Sequence, residues 1–288
     1  MKIEDIKTVG IVGADPIGQG IAAMSAMSGY ETYLYDINNQ ALDPAYESIR
    51  AELNRQISAG KITEAEGEAA MGRLHITYDI RDITGEVVIE NLNADKKTKK
   101  MLVEELERLN AHTSIIVTNT GDVSVTQLAG DMSHPGRFAG IHLFNPVPKI
   151  PLVEVIAGEA TDPSTVELIS EYTLKMGKTP VKVKDTPGFV VNRVASPFYL
   201  ESLKVLEEGV ADVKTIDALL ENAGFTMGPF KVIDYLGVDT NQKISQMMFK
   251  AFGNEPRFRP SRIQQRKVDV GHLGQKSGKG FYDYEKNK

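Results

Sequence analysis

The segment TVGIVGADPIGQGIA, residues 8–22, constrains the fold of this chain more than any other stretch. Its first six residues are mostly apolar, as in a buried strand, and residues 17–29 have the pattern of a helix rich in small side chains. A buried strand that leads through a glycine turn into a helix is the start of a β-α-β unit. Later apolar runs alternate with helical patterns in the same way, so we predict an α/β domain with a mostly parallel sheet.

The predicted secondary structure changes about two thirds of the way along the chain, from alternating strands and helices to helices. Before that point, strands are predicted at TVGIVG, ETYLYD, LHITYD, EVVIEN, SIIVTN, FAGIHLF and LVEVIAG, and a charged helical hairpin is predicted at about 40–72 with its turn near Gly60. From Asn192 onward, helical patterns dominate. The turn signal DTPG lies at the change. We therefore expect a nucleotide-type α/β domain over residues 1–184 and an all-helical domain over residues 185–288.

The composition narrows the class of protein. A hydrophobic content of 41% and a charged content of 25% are those of a soluble globular protein, and no run approaches the ~18 apolar residues of a membrane span. A net charge of -6 without a basic stripe disfavours nucleic-acid binding. The chain has no cysteine, and its five histidines are scattered, so we expect no metal site. Because residues 1–12 lack the pattern of a signal peptide, we expect a cytoplasmic protein.

The glycine turn resembles the phosphate-binding turn of a dinucleotide site, with one departure. The spacing G-x-G-x-x-G is met at Gly13 and Gly18, but the middle position is Asp15. Asp36, at the end of the next predicted strand, lies where an acidic residue accepts hydrogen bonds from the adenosine ribose, which favours NAD over NADP. The alternative is an ordinary strand-turn-helix in which Gly13 only permits the turn.

Asp15 has two opposite effects on such a turn. An aspartate followed by proline is a good helix start, because the carboxylate caps N–H groups and Pro16 suits the first helical position. The same N–H groups would hold a pyrophosphate, so Asp15 would compete with the cofactor and repel it. The sequence leaves open whether Asp15 turns to solvent or lies across the phosphate site.

Two polar residues in neighbouring predicted strands point to proton transfer. His142 lies in FAGIHLF, and Glu154 is enclosed by apolar residues in LVEVIAG, where an unpaired carboxylate is costly. A carboxylate bonded to one ring nitrogen would fix the histidine tautomer and leave proton exchange to the other nitrogen. Such a pair suits a general base that takes a hydroxyl proton as hydride leaves the same carbon. The alternative is a buried structural pair.

Several longer blocks carry a family resemblance. GIHLFNPVPKIPLVEVIAG and KDTPGFVVNR, together with SAGKITEAE, VVIEN, GFTMGPFKVIDYLGVDT and LGQKSGKGFYDY, resemble the 3-hydroxyacyl-CoA dehydrogenase family, 3-hydroxybutyryl-CoA dehydrogenases in particular. The resemblance covers nearly the whole chain. It implies a Rossmann-like NAD domain, a helical domain that forms a homodimer, and an acyl-CoA substrate cleft between them.

The resemblance also implies roles for individual residues. His142 is the expected catalytic base, Glu154 its orienting partner, and Asn192 a hydrogen-bond partner of the substrate oxygen. The expected cofactor-binding residues are those of the turn and two strand ends: Gly13, Asp15, Ile17, Gly18, Asp36 and Asn119. Gly121 occupies a position where the family usually has a serine that contacts substrate. Apart from the resemblance, Lys61 in the hairpin turn is a candidate for contact with a coenzyme A phosphate, and the alternative is an ordinary surface lysine.

The departures from the family pattern cluster at the expected site. Besides Asp15 and Gly121, the family usually has glutamate where this chain has Ala94, and Asn91 is unusual beside Glu90.

From the resemblance as a whole, we expect an NAD-dependent enzyme of fatty acid metabolism that interconverts a 3-hydroxyacyl thioester and its 3-oxoacyl form, with a short-chain 3-hydroxyacyl-CoA as substrate. The first alternative is the same chemistry on a hydroxyacyl group tethered to an acyl carrier protein. The second is a non-catalytic binding protein with a disabled turn.

Four lysines cluster shortly after the predicted strand EVVIEN. Lys96, Lys97, Lys99 and Lys100 are expected to form a solvated helix face.

Overall fold

A computed structural model describes residues 1–284 of the chain. The chain separates into two compact units, Met1–Thr186 and Pro187–Lys288. The first unit contains eight strands: β1 Thr8–Val12, β2 Glu31–Tyr35, β3 Leu74–Ile76, β4 Val87–Glu90, β5 Ile115–Asn119, β6 Phe138–Leu143, β7 Leu152–Ala157 and β8 Thr179–Lys184. Its helices are α1 Pro16–Met27, α2 Leu42–Ser58, α3 Glu64–Gly72, α4 Lys96–Leu109, α5 Val125–Leu128 and α6 Pro163–Lys175.

The strands form one sheet in the order β3-β2-β1-β4-β5-β6-β7-β8. All neighbouring strands are parallel except β6 and β7, which run antiparallel. The strand order reverses beside β1, since β2 lies on one side and β4 on the other. In such sheets ligands bind beyond the carboxyl ends of the strands at this point. The predicted α/β fold with a mostly parallel sheet is confirmed.

The central strands are buried on both faces. Val9, Ile11 and Val12 of β1 and all four residues of β4 are fully buried. Strands covered by helices on both faces need continuous apolar runs, which is the pattern that the sequence shows. Each of the seven predicted runs contains a strand; β8 was not predicted, because its polar and apolar residues alternate and Pro180 follows its first residue. It lies at the edge of the sheet, where proline is tolerated.

The predicted helical hairpin consists of α2 and α3. Gly60 has a φ of 66° in the turn between them, and Thr63 begins α3 with a capping box in which its side chain and that of Glu66 bond to each other's backbone N–H. The charged pattern of residues 40–72 therefore corresponds to two capped helices.

One sequence interpretation is wrong. Lys99 was expected on a solvated face with Lys96, Lys97 and Lys100, but its side chain is only 5% exposed. The buried residues of α4 are Lys99, Leu102, Val103 and Leu106. Their spacing of three, four and seven residues marks one stripe of a helix, so Lys99 faces the sheet together with apolar residues.

The second unit is helical between residues 187 and 284. Its helices are α7 Val191–Glu207, α8 Val213–Asn222, α9 Pro229–Leu236, α10 Val238–Ala251 and α11 Arg262–Asp269. They share a core that includes Leu203, Phe230, Ile233, Met248 and Phe258. The predicted all-helical second domain is thus confirmed as a fold, whereas the division of cofactor and substrate roles between residues 1–184 and 185–288 stays a prediction.

Asp234, fully buried on α9, holds residues 281–284 in place. Its carboxylate accepts hydrogen bonds from the backbone N–H groups of Phe281 and Tyr282 and from the hydroxyl of Tyr284. A Cβ at Gly280 would lie 2.0 Å from an oxygen of the same carboxylate. The sequence GKGFYDY therefore closes over a buried acceptor that leaves no room for a side chain at Gly280.

Candidate functional site

His142 and Glu154 form a largely buried pair on adjacent strands. They are register partners on antiparallel β6 and β7, and Nδ1 of His142 lies 2.8 Å from Oε2 of Glu154. The Glu154 side chain is fully buried, whereas that of His142 is 13% exposed. An ionised carboxylate accepts the hydrogen of Nδ1, which leaves proton exchange to Nε2. The pairing expected from the sequence is therefore present.

The surroundings of the His142 ring restrict where it can move. The ring of Phe144 lies with its centroid 4.3 Å from that of His142. A Cβ at Gly121 would lie 2.9 Å from Nε2 of His142, closer than carbon and nitrogen atoms pack. Gly121, expected to contact substrate, thus lies directly beside the nitrogen that would exchange a proton.

The glycine turn after β1 has the geometry of a tight phosphate-binding turn. Gly13 has a φ of 114°, and its N–H donates to the carbonyl of Tyr35 at 2.8 Å. A Cβ at Gly18 would lie 1.8 Å from the carbonyl oxygen of Gly13. Both positions therefore require glycine for the turn to close, one for its backbone angle and one for close approach.

Asp36 lies at the carboxyl end of β2 and contacts this turn. Its Oδ2 accepts the N–H of Ala14 at 2.7 Å, and its Oδ1 accepts the N–H of Asn38 at 2.8 Å. The carboxylate is partly exposed. It is thus held at the position expected of an acceptor for ribose hydroxyls.

Asp15 lies across the amino end of α1. Its Oδ1 accepts the N–H groups of Ile17 at 3.0 Å and Gly18 at 2.9 Å, and the side-chain amide of Asn91 at 2.8 Å. Asp15 therefore caps the helix, as the Asp-Pro sequence predicts, and occupies donors that an anion would use. The backbone of the turn and the position of Asp36 fit a dinucleotide. Asp15 is the residue of the turn that opposes binding of the dinucleotide phosphates.

Asn91 connects the turn to the neighbouring strand ends. While its Nδ2 donates to Asp15, its Oδ1 accepts the side-chain amide of Asn119 at 2.7 Å. Asn119 in turn accepts the N–H of Leu143, the residue after His142, at 3.2 Å. Asn91 is only 4% exposed. The sequence marked Asn91 as unusual, but its position between the turn and Asn119 depends on how β1, β4 and β5 pack side by side.

A buried ion pair lies under the same strand ends. The Lys99 ammonium lies 2.8 Å from the carboxylate of Glu90, which also accepts the hydroxyl of Thr118 at 2.6 Å. Lys99 donates a further hydrogen bond to the carbonyl of Asn119 at 3.1 Å. This cluster is not among the predicted sites. One signal for it is present in the sequence, since Lys99 lies three and four residues before the apolar Leu102 and Val103, the spacing of a buried helix stripe.

The first unit thus gathers most of the expected residues at one edge. The carboxyl ends of β1, β4, β5 and β6 lie at the same edge of the sheet because these strands are parallel. Gly13, Asn91, Asn119 and His142 lie at or next to these ends. Lys61 is exposed in the turn between α2 and α3, and Asn192 lies in the first turn of α7 in the second unit.

The described part of the chain contains neither a cluster of metal ligands nor a membrane-spanning helix. Residues 1–284 contain no group of three or more histidine or acidic side chains arranged to hold a metal ion. No helix within these residues is both long enough and apolar enough to cross a bilayer.

Comparisons with known proteins match both units. The family model for the NAD binding domain of 3-hydroxyacyl-CoA dehydrogenase matches residues 8–186, and the model for the C-terminal domain matches residues 188–284. The 3-hydroxyadipyl-CoA dehydrogenase of Escherichia coli is 42% identical over 97% of this chain, which spans only 59% of that protein. A probable 3-hydroxybutyryl-CoA dehydrogenase of Deinococcus radiodurans is 35% identical, with 96% of this chain and 99% of that protein covered.

Solved structures agree with the sequence comparison. The crystal structure of (S)-3-hydroxybutyryl-CoA dehydrogenase from Ralstonia eutropha superposes with a TM-score of 0.92 at 34% identity, covering 97% of this chain and 99% of that one. The two family models together match nearly all of the described residues. The chain therefore belongs to the 3-hydroxyacyl-CoA dehydrogenase family.

Proposed function

We propose that this protein interconverts a 3-hydroxyacyl-CoA and its 3-oxoacyl form with NAD(H). The observation that carries the proposal is the buried pair of His142 and Glu154, 2.8 Å apart, on a sheet whose first strand ends in a dinucleotide-type turn. The pair supplies a base with a defined tautomer, and the turn with Asp36 supplies a place for the cofactor.

In the oxidative direction, His142 takes the proton of the substrate 3-hydroxyl on Nε2. The turn after β1 and Asp36 would hold NAD(H), which would supply an acceptor for the hydride on C3 of the substrate. Loss of that hydride together with the hydroxyl proton would break the C–H and O–H bonds and form the carbonyl. Glu154 stabilises the imidazolium that results, because its carboxylate remains bonded to Nδ1. In the reductive direction His142 returns the proton to the carbonyl oxygen. Asn192 is proposed to donate a hydrogen bond to that oxygen.

We further propose a short-chain acyl-CoA as the substrate. The names of the relatives, 3-hydroxyadipyl-CoA and 3-hydroxybutyryl-CoA dehydrogenases, support an acyl group of about this size. Gly121 and Ala94, which replace the usual serine and glutamate of the family, are the residues that would alter the acyl group accepted. Lys61 is proposed to contact a phosphate of coenzyme A.

We also propose a homodimer through the helical second unit. Large apolar side chains are exposed there, among them Val194, Val210, Leu219 and Phe225. Contiguous patches of exposed apolar side chains mark association surfaces, so these residues are candidates for the dimer contact. The expected cytoplasmic location stays a prediction.

The test is reduction of acetoacetyl-CoA, followed by the loss of NADH absorbance. We expect turnover by the native chain and a loss of roughly 10²–10⁴-fold in kcat for His142→Asn. The matched control is His75→Asn, because His75 also pairs with a glutamate at 2.8 Å, namely Glu31, but at an exposed position. We expect this control to keep the native rate.

Three outcomes would contradict the proposal. Turnover of acetoacetyl-carrier protein but not of acetoacetyl-CoA would shift the substrate to the carrier-bound form. Equal losses in His142→Asn and His75→Asn would remove the catalytic role of His142. Turnover of neither thioester, in a chain that is folded by circular dichroism, would favour a non-catalytic binding protein.

A further inference from the structure

We propose that Asn91 is a positioning residue that holds Asp15 over the amino end of α1. The Asp15 carboxylate then occupies the place of a cofactor phosphate oxygen until the dinucleotide displaces it. The proposal rests on the proposed function, because it takes the turn after β1 to be the NAD(H) site. It concerns two positions at which this chain departs from the family pattern, and the structure joins them by a hydrogen bond of 2.8 Å.

Asp15 competes with a phosphate for the N–H donors at the amino end of α1. The N–H groups of Ile17 and Gly18 point out of the helix end, and one oxygen of Asp15 accepts both. Each N–H has a single hydrogen, so a phosphate oxygen at the same place would have to displace the carboxylate. A bound pyrophosphate would also lie next to the negative charge of Asp15, and like charges in contact oppose binding.

The side-chain amide of Asn91 is fixed in one orientation. Its amide group is used at both ends, since Nδ2 donates to Asp15 and Oδ1 accepts from Nδ2 of Asn119. A flipped amide would place oxygen against the carboxylate and nitrogen against the Asn119 donor, so the network allows one orientation. Because Asn91 is 4% exposed, water has little access to replace these bonds. Asn91 therefore stabilises the form of the turn in which Asp15 covers the helix end.

These hydrogen bonds lower the affinity of the turn for a phosphate. The turn has a closed form, with Asp15 bonded to Ile17, Gly18 and Asn91, and an open form that accepts a phosphate. Because only the open form binds NADH, the apparent affinity is that of the open form multiplied by the fraction of molecules in the open form. Weakening the closed form, either at Asp15 or at Asn91, raises the affinity. Because both residues act on one equilibrium, their effects are not additive.

The test is a titration of NADH into the purified full chain, followed by nicotinamide fluorescence and by calorimetry. We expect Asp15→Gly to bind NADH about ten- to a hundred-fold more tightly than the native chain. Asp15→Asn keeps an acceptor at the helix end but removes the charge, so it should fall between the two. Asn91→Ala should tighten binding in the native background and have little effect in the Asp15→Gly background.

Two controls separate this effect from a general one. Asp212 caps α8 in the second unit through the N–H of Thr215 at 2.8 Å, so Asp212→Gly removes a comparable cap and should leave NADH binding unchanged. Adenosine carries no phosphate, so its affinity should be the same in the native chain and in Asp15→Gly, whereas that of ADP-ribose should rise. Thermal unfolding without ligand checks that each variant is folded.

The outcomes distinguish this proposal from the proposed function. Unchanged or weaker NADH binding by a folded Asp15→Gly variant overturns it, as do additive effects of the two substitutions or an equal gain for adenosine. Absence of NADH binding in every variant overturns both proposals. If binding follows the expected pattern but no thioester is turned over, the role of Asn91 and Asp15 is supported and only the substrate assignment fails.

Discussion

The carboxylate of Glu154 faces the imidazole of His142 across the only antiparallel strand pair of the eight-stranded sheet within residues 1–186, with 2.8 Å between Oε2 and Nδ1. The pair combines a fully buried acid with a histidine that retains 13% of its side-chain exposure. This difference in burial suits a residue that orients and a residue that reacts.

We expect Glu154→Gln to lower kcat with little change in the KM for NADH. Glutamine still accepts the hydrogen of Nδ1, but it lacks the negative charge that stabilises an imidazolium, and general acid–base catalysis of this kind contributes roughly 10²–10⁴-fold. Steady-state kinetics on the variant measure both constants. A purely structural pair would instead leave kcat per folded molecule unchanged, and that result would contradict the orienting role of Glu154.

The pair of Glu90 and Lys99 yields a prediction about stability. Lys99→Met leaves the fully buried Glu90 carboxylate without its ammonium, and breaking a buried ion pair costs about 3–5 kcal/mol. Lys182 forms an exposed pair with Glu167, so Lys182→Met serves as the control and should cost about 0–1 kcal/mol. Urea denaturation gives the free energy of unfolding of each variant. Equal costs for the two substitutions would show that the burial of Lys99 has no energetic consequence.

We expect that adding one methyl group to the glycine turn, in Gly18→Ala, abolishes NADH binding. In Gly18→Ala the new methyl group would lie 1.8 Å from the carbonyl oxygen of Gly13, so the backbone of the turn must move. We expect NADH binding to be lost and the free energy of unfolding to fall by about 1–3 kcal/mol. Gly72→Ala, at the end of α3 with nothing within 4 Å of the new methyl group, is the control. Fluorescence titration of a folded Gly18→Ala variant that still bound NADH normally would refute this account of the turn.

The raised pKa of Tyr284 predicts that the folded chain loses stability at alkaline pH. Burial, with the nearby charge of Asp234, raises the pKa of Tyr284 from 10.0 to about 12. Between pH 10 and pH 12 the folded chain therefore holds the phenolic proton more tightly than the unfolded chain, and stability falls as the pH rises through this window. The contribution is fully present below pH 10.

Tyr284→Phe tests this dependence. The variant lacks the ionisable hydroxyl that donates to Asp234, so its melting temperature should decline less steeply between pH 10 and pH 12 than that of the native chain. Thermal unfolding at a series of pH values measures both slopes. Identical slopes would mean that Tyr284 ionises in the same way in the folded and unfolded chain.

Much of this architecture was predictable because it follows from neighbours along the chain. Two-residue alternation and continuous apolar runs identified seven of the eight strands in the first unit, and the Asp-Pro start of α1 identified its cap. Only β8 escaped, since Pro180 and alternating lysines obscure an edge strand. The pairing of His142 with Glu154 was predictable as well, because an enclosed carboxylate near a strand histidine needs a partner.

Other features depend on groups that are distant in sequence and meet only when the sheet forms. Asp15 and Asn91 are 76 residues apart, and Asn91 and Asn119 are 28 apart, yet adjacent strands bring their side chains within hydrogen-bonding distance. The local sequence places Lys99 in a solvated lysine cluster, whereas the packing of α4 places it against Glu90. Local patterns encode periodicity and caps, whereas the direction that Asp15 takes and the burial of a charge are settled by which strand ends lie side by side.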